Sequence, residues 1–244
     1  MENAKRYRWA TKTANGKQIV VPLPTPEYGR LMRGGEGPGS FLTGTQTELI
    51  FANRTPGTAV NFASTGEVTI SAGITELGTT AGTINLGLPA NHYGANNGVG
   101  KVVRVCARGV YSDTATPTFT FGLRFVTAAG ALLATSGALT GGSTVTNQGW
   151  QWEVDMVGIT VGPATTATLR VTGSVWLSLA LTGGTPLYAP FCAGSAFGTP
   201  TPATPTSAGF DSTIANALVP TGNSGTASAS NILQLTEILV FGLN

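Results

Sequence analysis

Two acidic residues, Glu153 and Asp155, have the types and the spacing that could carry a reaction. Side chains two positions apart on a strand point to the same face, so a strand here would bring both carboxylates together. Paired carboxylates can catalyse glycoside hydrolysis or bind Ca²⁺. On a polar strand face they are more often solvated, or matched across the sheet by a cation such as Arg124 or Arg170. The second interpretation is favoured, because nothing else in the chain completes a reaction centre.

Other candidate catalytic and metal-binding residues are few. The single histidine, His92, and the two cysteines cannot form a tetrahedral zinc site without several carboxylates. A Ser-His-Asp triad would have to use His92, and the chain lacks the G-x-S-x-G motif that presents such a serine. Phosphate-binding glycine loops are also missing. We therefore expect that the protein is not an enzyme and that it has no catalytic residue, no cofactor and no bound metal. We also expect Cys106 and Cys192 to be free thiols.

One aromatic residue, Trp176, falls on the otherwise polar face of its predicted strand. An exposed tryptophan at such a position is typical of a subunit interface or of a platform on which a sugar ring stacks. A tryptophan covered by a neighbouring loop would give the same pattern. All three interpretations stay open at this point.

Short alternating runs must position these residues. In four long runs, apolar residues recur at every second position, which predicts strands that bury one face and leave the other polar. Such half-buried antiparallel strands predict an all-β protein, an antiparallel β-sandwich. The four runs are Lys101–Tyr111, Thr118–Thr127, Trp150–Val157 and Thr168–Thr182.

The final run, Ile232–Leu243, carries apolar residues on both faces when read with a strict period of two. A strand that is apolar on both faces must be covered on both, by the domain itself or by a neighbouring subunit. This pattern makes Ile238, Val240 and Phe241 candidates for a subunit interface, and Trp176 is a fourth candidate because of its place on a polar face.

Charge is scarce and unevenly distributed. Only 10% of the residues are charged, against about 25% in a typical soluble domain. Seven of the 13 basic residues fall in the first 33 positions, opposed by two acidic ones. We therefore predict an extended basic N-terminal arm over residues 1–40, rich in Pro and Gly, and a sandwich domain over residues 41–244. The residues expected to anchor the arm are Lys5, Arg6, Arg8, Trp9, Lys12, Lys17, Arg30 and Arg33.

Three stretches together resemble a known class of proteins. They are GKVVRVCARGVYSDTATPTFTFGLRF at 100–125, WQWEVDMVGITVG at 150–162 and TASASNILQLTEILVFGL at 226–243. Their order is similar to that in small jelly-roll proteins of tailed-bacteriophage virions, which include head decoration (cement) proteins and fibres. The resemblance covers roughly residues 45–244 and implies a jelly roll, usually trimeric, attached to a capsid or a tail.

Three functions follow as hypotheses. The leading one is a non-enzymatic virion protein, a homotrimeric decoration or cement protein that binds the major capsid protein through its arm. Nucleic acid is the alternative partner for the basic arm. It is less favoured, because the net positive charge of the arm is modest. No stretch is long enough to span a membrane.

The second hypothesis is a receptor- or carbohydrate-binding module that uses Trp176 and the loop Asn91–Asn97. The third, and weakest, is a glycosidase that uses Glu153 and Asp155.

Overall fold

The structure is a computed structural model of the 244-residue chain. It describes residues 7–14, 17–24, 47–71, 87–93, 99–114, 116–125, 130–178 and 187–243. Two compact units share the chain, residues 1–46 and residues 47–244. The predicted arm, residues 1–40, falls inside the first unit.

The first unit contains a β-hairpin that the alternation pattern and the proline content do not predict. Strands β1 (Tyr7–Ala14) and β2 (Lys17–Pro24) pair antiparallel, from Tyr7 opposite Pro24 to Ala14 opposite Lys17. The residues between them are Asn15 and Gly16, the dipeptide that two-residue hairpin turns prefer. The prediction of an extended arm rests on the prolines of this segment, whereas the Asn-Gly dipeptide favours the hairpin that the structure contains.

The second unit is built from strands alone, as far as its described residues extend. Its strands in chain order are β3 (Thr47–Asn53), β4 (Val60–Phe62), β5 (Val68–Thr69), β6 (Gly87–Leu88), β7 (Val102–Ser112), β8 (Thr118–Phe125), β9 (Leu132–Ser136), β10 (Leu139–Thr140), β11 (Gln148–Thr160), β12 (Thr168–Leu177), β13 (Leu187–Cys192), β14 (Gly194–Ala196), β15 (Thr199–Pro200), β16 (Asn216–Ser224) and β17 (Ser228–Leu243).

Apart from β14 and β15, which pair with each other, these strands form two layers that share β13. The front sheet has the order β3-β17-β7-β11-β12-β13, with β4 also paired to β17, and the back sheet has the order β13-β9-β8-β16-β5. Residues 187–190 of β13 pair with β12, whereas Phe191 and Cys192 pair with Ser136 and Thr135 of β9. The chain therefore passes from one layer to the other within a single strand.

The strand order is that of a jelly roll. When β3, β5, β7, β8, β9, β11, β16 and β17 are counted as strands one to eight, the front sheet reads 1-8-3-6 and the back sheet reads 2-7-4-5. Eight strands in two such sheets define this architecture. Strands β12 and β13 are added between the sixth and the seventh. The predicted all-β antiparallel sandwich is thus confirmed.

Aromatic side chains from the two sheets meet in the core. The ring centroids of Phe121 and Trp150 are 5.0 Å apart, and those of Trp152 and Phe191 are 4.9 Å apart. Three of these residues lie on the strand faces that alternation predicts to be buried, and β7 likewise alternates between buried and more exposed positions along its length. Because one face of each central strand is fixed in the core, the opposite face of the front sheet is presented outward.

Strand β17 corrects the predicted faces of the final run. A register shift between Leu235 and Glu237 inserts Thr236 as a bulge, and one extra residue exchanges the two faces beyond it. Leu233 and Leu235 before the bulge and Ile238 and Val240 after it all point into the core. Assigning Ile238 and Val240 to a subunit interface was therefore wrong, since these side chains are 0% and 1% exposed.

Candidate aromatic groove on the front sheet

The outer face of the front sheet carries a groove of about 310 Å³ that crosses β7, β11, β12 and β13. Its lining includes the aromatic residues Trp176 and Tyr188, together with Trp152 and polar residues of β7, β11 and β12. A concave site with a few convergent polar groups is the usual setting for small-ligand binding, and this volume lies at the lower end of the usual range.

One row of residues crosses the groove perpendicular to the strands. Tyr188 lies opposite Trp176, Trp176 opposite Gln151, and Gln151 opposite Arg108. All four line the groove. Neighbouring strands are about 4.8 Å apart, so the row extends over roughly 14 Å. Its aromatic end is formed by Trp176 and Tyr188, and its cationic end by Arg108.

The aromatic pair is available to a ligand. Tyr188 is 72% exposed, and Trp176 is partly exposed on the outer face. The six-membered ring of Trp176 lies beside Gly149, where an added Cβ would stand 3.5 Å from the ring atom Cζ3. At that distance a Cβ would be in ordinary van der Waals contact with the indole, which therefore packs over Gly149 on the outer face of the sheet. The prediction that Trp176 lies on the polar face is confirmed, whereas Tyr188 was missed because β13 was not predicted.

Glu153 and Asp155 share the outer face of β11, as their spacing predicted, and a single guanidinium binds both. Arg104 of β7 donates from Nε and Nη2 to Asp155 Oδ1 and Oδ2, each over 2.7 Å. Its Nη1 lies 3.1 Å from Glu153 Oε1. The hydrogen bonds to Asp155 raise the pKa of Arg104. The predicted partners were wrong, because Arg124 pairs with Glu67 in the other sheet and Arg104 is the residue directly opposite Asp155.

The thiol of Cys106 also contacts this cluster. Its Sγ lies 3.6 Å from Glu153 Oε2 and donates to it. Burial, the negative charge of Glu153 and this hydrogen bond together raise the pKa of Cys106 to about 12. Cys106 and Cys192 are both free thiols in the structure. The thiol of Cys106 is therefore protonated at neutral pH and takes part in the groove as a weak donor.

This geometry predicts that Cys106 reacts slowly with alkylating agents. The thiolate is the reactive form, so at pH 8.5 we expect iodoacetamide to modify Cys106 at least about 100-fold more slowly than an unperturbed cysteine. Glu153→Gln removes the charge that opposes ionisation, so it should lower the pKa of Cys106 and accelerate the reaction. The measurement is mass spectrometry of the labelled peptide in a Cys192→Ala background. A wild-type rate equal to that of a free cysteine would contradict the assignment.

The single histidine of the chain lies outside the groove. His92 does not line the groove, its backbone oxygen accepts a hydrogen bond from Lys101 Nζ over 3.1 Å, and its ring packs edge-on against Tyr93. Burial and the charge of Lys101 lower the pKa of His92. The loop Asn91–Asn97 extends beyond the described residues after Tyr93. The described part of the chain holds no group of three or more His, Cys, Asp or Glu side chains placed to bind a metal ion.

The arm residues are placed in part. Arg8, Trp9 and Lys12 belong to β1 and Lys17 to β2. Lys5, Arg6, Arg30 and Arg33 lie outside the described residues. Within the described ranges, no helix has the length and apolar character needed to cross a lipid bilayer.

A second feature of the front sheet lies at its opposite edge. Leu49 of β3 is 55% exposed and stands opposite Phe241 of β17. Phe241 and Leu239 are partly exposed and lie opposite Arg104 and Cys106, both of the outer face. Leu49, Leu239 and Phe241 therefore form an apolar strip beside the charged cluster. Of the predicted interface residues, Phe241 and Trp176 remain on the surface.

Comparisons with known proteins do not assign this chain to a family. No family model matches the sequence, and no curated protein matches it. A solved structure with detectable similarity is the CBM2 module of the evolved Dit of Lactobacillus casei BL23 phage J-1. It is 13% identical, covers 65% of this chain and 67% of its own, and superposes with a TM-score of 0.26. A likeness at that level carries no argument about fold or function.

Proposed function

We propose that this chain is a saccharide-binding protein whose aromatic groove holds the ligand. The observation that carries the proposal is that Trp176 lies opposite Tyr188 on the outer face of the front sheet, where both line the groove. The C–H face of a pyranose ring is apolar and flat enough to pack on an indole or a phenol, which supply a large contact area. Two adjacent aromatic residues offer consecutive stacking positions.

Polar groups beside the aromatic pair suit the hydroxyl groups of a sugar. Gln151 offers an amide that both donates and accepts, and Ser174 offers a hydroxyl group. Glu153 and Asp155 offer carboxylate oxygens that Arg104 holds in place. Preorganised acceptors of this kind lose little side-chain freedom on binding. The combination supports recognition of one or a few sugar units.

We propose binding without hydrolysis. Hydrolysis needs one carboxyl group to donate a proton and the other to attack or to activate water. Here both carboxylates are engaged by the same guanidinium. Their shared contact with Arg104 supports a role as fixed hydrogen-bond acceptors, in line with the expectation of a non-enzymatic protein.

The test is a glycan array probed with the full-length wild-type chain and with Trp176→Ala. We expect the wild type to bind specific saccharides on the array and Trp176→Ala to bind none of them. A wild-type chain that binds none of the arrayed glycans would contradict the proposal.

A structural role in a phage virion is the second candidate, and the apolar strip favours it. Leu49, Leu239 and Phe241 present adjoining apolar side chains outward, the kind of surface that protein contacts bury. We propose that the strip forms the contact of a homotrimer and that the arm attaches this trimer to the major capsid protein. The acidic capsid surface, rather than nucleic acid or a membrane, is the proposed partner of Arg8, Lys12 and Lys17.

Self-association tests this second candidate. Light scattering coupled to size exclusion should give three times the 24.8 kDa mass of one chain, and Phe241→Asp should shift the population to monomer. Burying an unpaired carboxylate in an apolar contact is strongly unfavourable, which is the reason for the expected shift. Ile214→Asp serves as the control, since Ile214 is exposed and lies apart from the strip. A monomeric wild type at high concentration would contradict the trimer.

A further inference from the structure

The two arginines nearest the groove differ in their partners. Arg104 is saturated by the carboxylates of Asp155 and Glu153. Arg108 lines the groove and is exposed, yet none of the ion pairs formed within the described residues involves it. Of these two arginines, Arg108 is the one that lines the groove, and its guanidinium is available, whereas the charge of Arg104 is engaged by the two carboxylates.

The neighbouring strand forms no ion pair with Arg108 within the described residues. Glu237 of β17 lies opposite it in register, directly after the bulge, and forms no ion pair with it among the described contacts. At the bulge, the Oγ1 of Thr236 donates to the carbonyl oxygen of Arg108 over 3.1 Å. This hydrogen bond engages the backbone of Arg108 and leaves its five guanidinium N–H donors to other partners.

The position of Arg108 relative to the aromatic pair defines a second point of contact. Gln151 separates it from Trp176 in the transverse row, so the two residues are two strand spacings apart, roughly 10 Å. A sugar ring stacked on Trp176 could thus reach Arg108 through a substituent or through an adjoining unit. The amide of Gln151 lies between them.

We propose that the ligand of the aromatic groove is a saccharide that carries an acidic group, with that group held by Arg108. This inference rests on the proposed function and names its ligand class. The planar guanidinium matches both a carboxylate and a phosphate in bidentate geometry. The carboxylates of Glu153 and Asp155 repel such a group less than free carboxylates would, because Arg104 pairs with both.

The experiment compares three ligand sets on one array: neutral oligosaccharides, carboxylated ones (uronates and sialosides) and phosphorylated ones. The full-length wild type, Arg108→Gln and Arg170→Gln are measured in parallel. Arg170 is a matched control, because it is an exposed arginine of β12 that does not line the groove. The carboxylated and phosphorylated sets distinguish the two sources of negative charge.

We expect the wild type to prefer one of the acidic sets, and Arg108→Gln to lose at least about tenfold in affinity for it, as for a charge-assisted contact. Arg170→Gln should bind each ligand set with wild-type affinity. Added salt should weaken the binding of acidic saccharides and leave the binding of neutral saccharides unchanged. A wild type that binds neutral saccharides alone, or an Arg108→Gln variant with unchanged affinity for acidic ones, would overturn the inference while leaving saccharide binding intact. Absence of any binding by the wild type would instead overturn both proposals.

Discussion

Trp176→Ala is expected to weaken saccharide binding by roughly 30-fold, which corresponds to about 2 kcal/mol. Truncation removes the stacking surface at the centre of the aromatic groove and leaves Tyr188 as a single platform. The hydrogen-bonding side chains of Gln151 and Glu153 remain, but they then face a ligand that is no longer packed against the sheet. Isothermal titration with the best ligand from the array measures the change.

The control for this variant is Ile214→Ala. Ile214 is 52% exposed and does not line the groove. It should bind the ligand with wild-type affinity. Both variants should unfold at nearly the wild-type temperature, since neither side chain belongs to the core. Full affinity in Trp176→Ala would contradict the assignment of the groove.

The largest expected effect on stability comes from Arg124→Leu, which should lower the free energy of unfolding by about 3 kcal/mol. Arg124 of β8 binds Glu67 in bidentate geometry, with both contacts at 2.7 Å. The two side chains are only 15% and 14% exposed. Thr221 donates to the same carboxylate, and Arg124 also donates to the carbonyl oxygen of Gly130. Removing the guanidinium leaves a largely buried carboxylate without its counter-charge.

Urea denaturation measures this change, and a double variant separates its causes. Glu67→Leu combined with Arg124→Leu removes both charges, so it should recover part of the lost stability. Arg170→Leu is the matched control and should change the free energy of unfolding by less than about 0.5 kcal/mol, because Arg170 is exposed. If Arg124→Leu also lowered the free energy of unfolding by less than about 0.5 kcal/mol, the buried pair would stabilise the fold no more than a surface ion pair does.

The central strands could be predicted from the sequence because each obeys a simple physical rule. Val103, Val105 and Ala107 alternate with Arg104, Cys106 and Arg108, and half-burial of a strand demands that alternation. The same rule correctly predicts that Glu153 and Asp155 share the exposed face of β11 and that Trp176 lies on the exposed face of β12. The sandwich follows from several such strands.

The missed features depend on information that alternation does not carry. The bulge at Thr236 has no sequence signature of its own, and it exchanges the two faces of β17 beyond that point. Strand β13 contains Pro190 and changes sheets in its middle, so neither a period nor a β-propensity reveals it, and Tyr188 is missed with it. The pairing of Asp155 with Arg104 depends on the register between β11 and β7, which is a tertiary property.

The hairpin of the first unit differs, because its sequence does carry a readable signal. Asn15 and Gly16 form a turn dipeptide between two runs of strand-forming residues. Pro22 and Pro24 argue against a central strand, but a strand with only one neighbour has an unpaired edge, where the missing N–H of proline is tolerated. The local turn signal is therefore a better guide here than the proline content of the segment.

The most direct test of saccharide binding by the aromatic groove is an NMR titration that follows the indole N–H signals of the wild type. The probe is the saccharide that the wild type binds best on the array. The signal of Trp176 should shift progressively with ligand, while that of the core residue Trp150, which does not line the groove, should stay unchanged. A saccharide that binds without moving the Trp176 signal would contradict the account.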